Sequence, residues 1–317
     1  MNDPSVEVLR TLFTEQVLAR LRAAPPTDSL VYRVAAITLT QPRGLYVPWL
    51  EAQRLAWSSY LVAASDCGLL VGRFGRDLTA RLTHVDDEQF RSAMAECQAA
   101  WYLREKLGLA VSARPPGKGA SELELLVKLP EGDILVEVKS PLRVAIADGA
   151  AHALDDSDIL DRCLADASKQ LRKGTRNLVM LVGRLTLGIH VRQFFVKAFY
   201  GAEKLLISRE TRASRIEFDL NGRFLKVWPG EDGPRHTRVG GVLFVQENIR
   251  SSIGADGDHV HRTDNDSLML HNPNAIHPLP EGPWRECPQL VLRGEVMEWT
   301  DGHPVGGPVP NRQSDGD

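Results

Sequence analysis

Cysteine is scarce in this sequence. The 317 residues include four cysteines, which are far apart and form no Cys-x-x-Cys pair: Cys67, Cys97, Cys163 and Cys287. Disulfide frameworks are typical of short chains that are rich in cysteine, and cysteine-based zinc sites usually contain Cys-x-x-Cys pairs. We therefore expect neither of these, and four reduced thiols instead.

Long hydrophobic runs are missing as well. No stretch approaches the roughly 18 consecutive apolar residues that a membrane-spanning helix needs. The first residues, MNDPSVEV, lack the basic and apolar regions of a signal peptide. These absences predict a cytoplasmic protein that has no membrane partner.

Motifs of two large enzyme classes are also absent. The glycines form neither GxGxxG nor GxxxxGK, so a nucleotide-binding loop is not expected. No GxSxG motif is present, which argues against a serine hydrolase of the nucleophile-elbow type.

The chain does contain enough apolar sequence for a core, with 43% hydrophobic and 25% charged residues. Between about residues 90 and 190, helix and strand patterns alternate. They are the helix VDDEQFRSAMAECQAAWYLREKLGL, the hairpin SELELLVKLPEGDILVEVKSP, the helix ILDRCLADASKQLRKG and the buried strand NLVMLVG. This order predicts the α/β fold class.

The α/β core has flanking regions of different character, and we expect four parts. Residues 1–87 are helical or mixed, 88–200 form the core, 201–299 form a β-rich extension packed on it, and 300–317 are a disordered tail. Asp3-Pro4 begins a pattern that predicts one helix as far as Pro25-Pro26. Asn221-Gly222 predicts a β-hairpin, and TRVGGVLFVQ and SLMLHNPNAIHPLP predict two further strands.

Positive charge is concentrated in one part of the chain. The formal net charge is −3, but residues 167–215 contain eleven basic and two acidic residues, a net +9, so the remainder carries −12. Such asymmetry is typical of a surface that binds polyanions, although solvated helix faces would give the same pattern. The basic residues with which this window begins are Lys169, Arg172, Lys173 and Arg176.

The hairpin carries charges at positions where a buried strand would have apolar residues. Because side chains alternate in a strand, Glu137 and Lys139 share one face while Val136 and Val138 share the other. A four-residue loop over 130–133 would pair Leu129 with Ile134. That register places Glu124 opposite Lys139 and Leu126 opposite Glu137, with Glu122 on the same face.

Three carboxylates gathered on one face repel one another unless a cation neutralises them. A divalent metal is the simplest physical account, and oxygen ligands alone favour Mg²⁺ or Mn²⁺. A lysine two residues beyond a ligand glutamate can orient the metal-bound water or support its deprotonation. This chemistry suits phosphodiester hydrolysis.

The order of these features resembles that of the PD-(D/E)XK nuclease superfamily, in particular its resolvase-like and restriction-endonuclease-like members. Glu137-Val138-Lys139 matches the (D/E)-x-K, Ser121-Glu122 stands where the family has Pro-Asp, and Glu96 matches the glutamate of the first helix. Lys169-Gln170 resembles the polar position of the helix that follows. The resemblance covers about residues 88–185, and HNPNAIHPLP resembles a segment of bacterial nuclease-like proteins.

The resemblance implies a restriction-endonuclease-like core with a central mixed β-sheet flanked by helices. Glu122 and Glu137 would bind Mg²⁺ or Mn²⁺, Lys139 would position the attacking water, and Glu96 would support the site. The family usually has aspartate where Glu122 stands, so Glu124 is an alternative ligand.

The implied partner is nucleic acid, DNA rather than RNA, contacted by Lys169, Gln170, Arg172, Lys173 and Arg176. A homodimer or a partner protein would help to cut both strands of a duplex. A nuclease fold without activity, used for nucleic-acid binding or assembly, is the alternative function.

Overall fold

The structure is a computed structural model, which describes residues 4–23, 48–113, 125–141, 157–183, 191–207, 209–210, 214–218, 221–253, 259–293 and 296–300. Within these residues the chain forms seven α-helices and ten β-strands. The carboxylates of Glu122 and Glu124 lie outside the described residues, and so do residues 301–317 of the tail.

Ten strands form one large sheet and one small sheet among the described residues. Their bounds are β1 (Ala110–Ala113), β2 (Leu125–Lys128), β3 (Ile134–Lys139), β4 (Arg176–Val182), β5 (Glu203–Ile207), β6 (Ser214–Phe218), β7 (Gly241–Ile253), β8 (His259–His271), β9 (Gln289–Arg293) and β10 (Val296–Trp299). The large sheet has the order β1-β2-β3-β4-β7-β8-β9-β10, and β5 pairs with β6. Strands β3, β4 and β7 are parallel to one another, and β2 runs antiparallel to both β1 and β3. Strand β8 is antiparallel to β7 and parallel to β9, and β9 is antiparallel to β10.

Helices cover both faces of the large sheet. Their bounds are α1 (Pro4–Leu12), α2 (Glu15–Ala23), α3 (Pro48–Asp66), α4 (Gly72–Leu82), α5 (Asp87–Trp101), α6 (Ser157–Gln170) and α7 (Val191–Tyr200). Helices α1 to α5 share a core with Val136 and Val138, whereas α6 and α7 share a second core with Leu135. A mixed α/β fold with a central eight-stranded sheet flanked by helices is therefore confirmed.

Helix α5 forms where its sequence predicts it. The Asp86 carboxylate caps it by accepting the Glu88 backbone N–H at 2.8 Å. Phe90, Ala93 and Cys97 recur at helical spacing and are fully buried. After a π-helical segment, Tyr102–Lys106, the chain turns at Gly108, whose φ of +64° suits glycine.

The hairpin exists, but its predicted register is wrong. The structure pairs Val127 with Ile134 and Leu126 with Leu135, two residues away from the expected pairing. In this register Pro130, which offers no N–H to a strand ladder, lies beyond the paired residues. On its other edge β2 pairs with β1, where Lys128 lies opposite Ala110. Because side chains alternate with a period of two, this shift leaves each side chain of β2 and β3 that the structure describes on its predicted face.

Two other expectations are corrected. The predicted N-terminal helix is two helices, α1 and α2, separated at Thr14, whose hydroxyl accepts the Val17 N–H at 3.4 Å. Among the residues that the structure describes, Asn221-Gly222 does not join two paired strands, so the predicted hairpin is wrong. A Cβ atom on Gly222 would lie 2.2 Å from the Tyr200 nitrogen, so glycine here permits close packing against the end of α7.

The strands that the C-terminal patterns predict are both present. Strands β7 and β8 pair over their whole length and continue the large sheet beyond β4. The segment that follows β8 is not a strand. It is attached to residues 224–239, whose backbone carbonyls accept hydrogen bonds from the side-chain amides of Asn272 and Asn274. Within the described residues, no helix is both long and apolar enough to span a membrane.

Candidate active site

Strand β3 places Glu137 and Lys139 on one face of the central sheet. The apolar residue of that face, Leu135, packs with Leu164 and Ala167 of α6. Val136 and Val138 face the other way and pack with α5. The apolar alternation of the strand thus fixes both charges on the side of α6.

Glu137 is fully buried and forms an ion pair within its own strand. Its Oε1 lies 2.6 Å from Nζ of Lys139, whose side chain is 21% exposed. With the amide of Gln170 turned so that its nitrogen faces the carboxylate, Gln170 donates to Oε2 of Glu137 at 2.8 Å. A lysine and a glutamine together compensate a carboxylate that burial would otherwise destabilise.

The ammonium of Lys139 influences other ionisable groups on both helical layers. On α6, the pKa of Asp166 is lowered, first by its hydrogen bond with Lys169 and to a smaller extent by Lys139. Burial raises the pKa of the Cys163 thiol, and Lys139 opposes that rise. On α5, Lys139 also acts to lower the pKa of Glu96. Lys139 thus contributes to the electrostatics of groups on both helical layers, to a smaller extent than Lys169 at Asp166 and Arg81 at Glu96.

Glu96 is buried on α5 and is neutralised by a second cation. Its Oε1 accepts from Nη1 of Arg81 at 2.6 Å, and its Oε2 accepts from Nη2 at 3.3 Å. Burial raises the pKa of the Glu96 carboxyl, and Arg81 offsets part of the rise. Arg81 in turn pairs with Asp77 one helical turn earlier, at 2.9 Å.

The basic residues predicted to contact nucleic acid occupy different environments. Lys169 is exposed and pairs with Asp166 at 2.7 Å, and Arg176 donates to the Glu131 carbonyl at 2.6 Å. Arg172 and Lys173 are exposed after the end of α6. Gln170 lies apart from this surface because its amide faces Glu137.

The structure thus brings together three of the predicted site residues: Glu137, Lys139 and Gln170. Sequence reasoning missed Arg81, because fifteen residues separate it from Glu96 and no spacing rule connects two different helices. Among the residues that the structure describes, no three His, Cys, Asp or Glu side chains converge as a metal site. The described carboxylate that fits the expected Mg²⁺ or Mn²⁺ is Glu137, which offers the hard oxygen donors that these ions prefer.

Comparison with known proteins adds little. No protein-family model matches the chain, and no curated protein matches it. One solved structure, described as Pyrococcus furiosus SfsA in complex with Ca²⁺, is similar at 14% identity with a TM-score of 0.18. The similarity covers 52% of this chain and 60% of that protein, so the chain spans less than two thirds of it.

Proposed function

We propose that this chain is a metal-dependent nuclease of the PD-(D/E)XK type, which hydrolyses phosphodiester bonds in DNA rather than RNA. The observation that supports the proposal best is the ion pair of Glu137 and Lys139 at 2.6 Å on a central strand, with Gln170 of the following helix on the same carboxylate. An ordinary exposed strand with alternating charges would not bury the glutamate completely, as this one does.

The proposed ligands of Mg²⁺ or Mn²⁺ are Glu137 and a hairpin glutamate, either Glu122 or Glu124. When bound, such an ion supplies a water of lowered pKa and stabilises charge on a phosphoryl oxygen. Glu137 suits this role because its carboxylate is already held rigidly by β3 and Gln170.

Lys139 is the residue that we assign to the attacking water. Its side chain is partly exposed, so its ammonium can contact solvent and still lie 2.6 Å from Glu137. There it can hold a water by donating a hydrogen bond and stabilise the hydroxide that deprotonation leaves. Glu96 supports the site at longer range, through the electrostatic interaction with Lys139.

A cleavage assay tests this proposal. Linear, circular, branched and single-stranded DNA, and RNA, are incubated with the wild type in Mg²⁺, Mn²⁺ or EDTA. We expect cleavage that EDTA abolishes and that Glu137→Gln and Lys139→Ala each reduce by about 100-fold or more. Lys128→Ala, an exposed lysine on β2, is the matched control and should retain activity.

Two results would contradict the assignment: no cleavage of any substrate, or cleavage that survives both substitutions. Thermal unfolding of each variant separates lost chemistry from lost structure. Glu137→Gln is the more informative substitution, since the remaining Lys139 is partly exposed and can be solvated.

One observation favours the alternative, a nuclease fold used for binding or assembly. Both described site carboxylates already have a protein cation, Lys139 for Glu137 and Arg81 for Glu96. In a site that has lost its metal, protein cations would compensate the negative charge of the carboxylates in this way. Nucleic-acid binding without cleavage in any metal would support this second function.

A further inference from the structure

An exposed tryptophan lies on the segment that follows α7 and β6. The Trp228 side chain is 40% exposed, and its neighbour Val227 is 52% exposed. In contrast, Trp57, Trp284 and Trp299 are buried. Leaving a large apolar side chain in water costs free energy, and exposed apolar surface often marks a binding site.

The segment that carries Trp228 is held firmly in place. We call residues 221–240 together with 272–277 the Trp228 lobe. The Asn272 amide donates to the carbonyls of His236 and Val239 at 3.0 and 2.8 Å, and the Asn274 amide donates to the carbonyl of Phe224 at 2.7 Å. Phe224 itself is fully buried. An aromatic ring on such a fixed segment loses little conformational entropy when a partner contacts it.

Two cations lie against the exposed indole. Nζ of Lys226 is 4.0 Å from the Trp228 ring centroid, and Cζ of Arg235 is 4.6 Å from it. Arg235 also pairs with Glu231 at 2.7 Å, which offsets part of its charge. Over residues 221–240 the sequence has four basic and two acidic residues, so the lobe remains positive.

The lobe adjoins the basic residues that follow α6. The Asn177 amide donates to the Arg172 carbonyl at 2.9 Å and to the Arg238 carbonyl at 3.1 Å, so these two backbone segments meet at one side chain. Arg172, Lys173 and Arg238 are all exposed. Positive charge therefore extends from the loop after α6 to the Trp228 lobe.

We infer that the Trp228 lobe is a binding site for single-stranded nucleic acid. Phosphates would contact the cations around the ring, and an unpaired base would stack on the indole or on the Arg235 guanidinium. A duplex hides the faces of its bases, so it can use the charge of the lobe but not its aromatic surface. This inference rests on the proposed function, since it assumes that the protein acts on nucleic acid.

The test measures binding rather than cleavage. Anisotropy of a labelled oligothymidylate, and of a duplex of the same length, is followed in EDTA at several salt concentrations. We expect Trp228→Ala to weaken single-strand binding by about 10-fold, since the base loses the aromatic side chain on which it stacks. Trp228→Phe should restore most of the affinity, and duplex binding should not change.

Two further variants make the test specific. Val71→Ala, at another exposed apolar side chain (66% exposed), should bind like the wild type. Lys226→Gln should lower the dependence of affinity on salt by about one phosphate contact. Thermal unfolding of Trp228→Ala and Trp228→Phe establishes that both variants are folded.

The inference is overturned if the wild type does not bind the oligothymidylate, or if folded Trp228→Ala binds it as well as the wild type. Equal weakening of single-strand and duplex binding would also overturn it, because charge alone would then explain the surface. A protein that never cleaves, yet binds single strands through Trp228, would refute the nuclease proposal and leave this inference intact.

Discussion

Two buried glutamates, Glu137 on β3 and Glu96 on α5, are neutralised by partners of different kinds. Glu137 has a lysine two residues away on its own strand, at 2.6 Å. Glu96 has an arginine from the neighbouring helix α4, which reaches both carboxylate oxygens. The first pair follows from strand alternation, whereas the second depends on how two helices pack.

The two cations also differ in how firmly they are held. Arg81 is fixed by Glu96 on one side and by Asp77 on the other. Lys139 is a compact charge on a flexible side chain that is partly exposed. Glu137 is thus better suited to exchange Lys139 for another cation. The Glu96–Arg81 pair is better suited to fix the packing of α4 against α5.

The largest effect is expected from breaking the pair on β3. Lys139→Met would leave the fully buried Glu137 without its cation, which should lower the free energy of unfolding by about 3–5 kcal/mol. Urea denaturation measures this change. The double variant Glu137→Gln/Lys139→Met should recover most of the lost stability. If Lys139→Met is as stable as the double variant, the carboxylate of Glu137 needs no cation.

Breaking the pair between the helices should cost less. Arg81→Met removes a bidentate partner, but Glu96 is slightly exposed and still interacts with Lys139. We expect a loss of about 2–3 kcal/mol near neutral pH, measured by the same denaturation experiment.

The cost of Arg81→Met should also depend on pH. Burial raises the pKa of Glu96 above its ordinary value of 4.5, and loss of Arg81 would raise it further. A carboxyl with a raised pKa in the folded state stabilises the protein below its unfolded pKa and loses that contribution as the pH rises through the folded pKa.

Arg81→Met should therefore be less destabilising at about pH 4.5 than at about pH 7. Denaturation of the variant and the wild type at the two pH values gives the difference. In a Glu96→Gln background the difference should disappear. A cost of Arg81→Met that is the same at both pH values would mean that Glu96 is not the group responsible.

The same contrast explains what the sequence could predict. The alternation of side chains in β3 was sufficient to place Glu137 and Lys139 on one face of the sheet. The predicted hairpin register was wrong by two residues, but the placement is still correct because side chains alternate with a period of two. Helix α5 was predictable from its cap and its apolar spacing.

Other features depend on contacts that no local pattern encodes. Arg81 meets Glu96 only because α4 packs against α5. Asn221-Gly222 predicted a hairpin, but the glycine is needed because its backbone packs closely against the end of α7. In both cases packing between distant segments overrode the local signal.

A smaller effect should sharpen the description of the β3 pair. Gln170→Ala removes the amide that donates to Oε2 of Glu137. The loss of one hydrogen bond to a buried charged group should cost about 1–2 kcal/mol of unfolding free energy, less than the loss of Lys139. Lys169→Ala, at the adjacent exposed position, is the control and should change stability little. If Gln170→Ala is also neutral, its amide does not support Glu137.

The smallest effect should come from the outer partner of Arg81. Asp77 is 68% exposed and lies one turn before Arg81 on the same helix, and such pairs contribute about 0.2–0.5 kcal/mol. Asp77→Ala should therefore change the unfolding free energy by no more than this. It should also lower the pKa of Glu96 slightly, since the charge of Asp77 raises it, and titration of Glu96 by NMR would measure that shift. A large loss of stability would show instead that Arg81 needs Asp77 in order to reach Glu96, so that the pair between the helices is a three-residue unit.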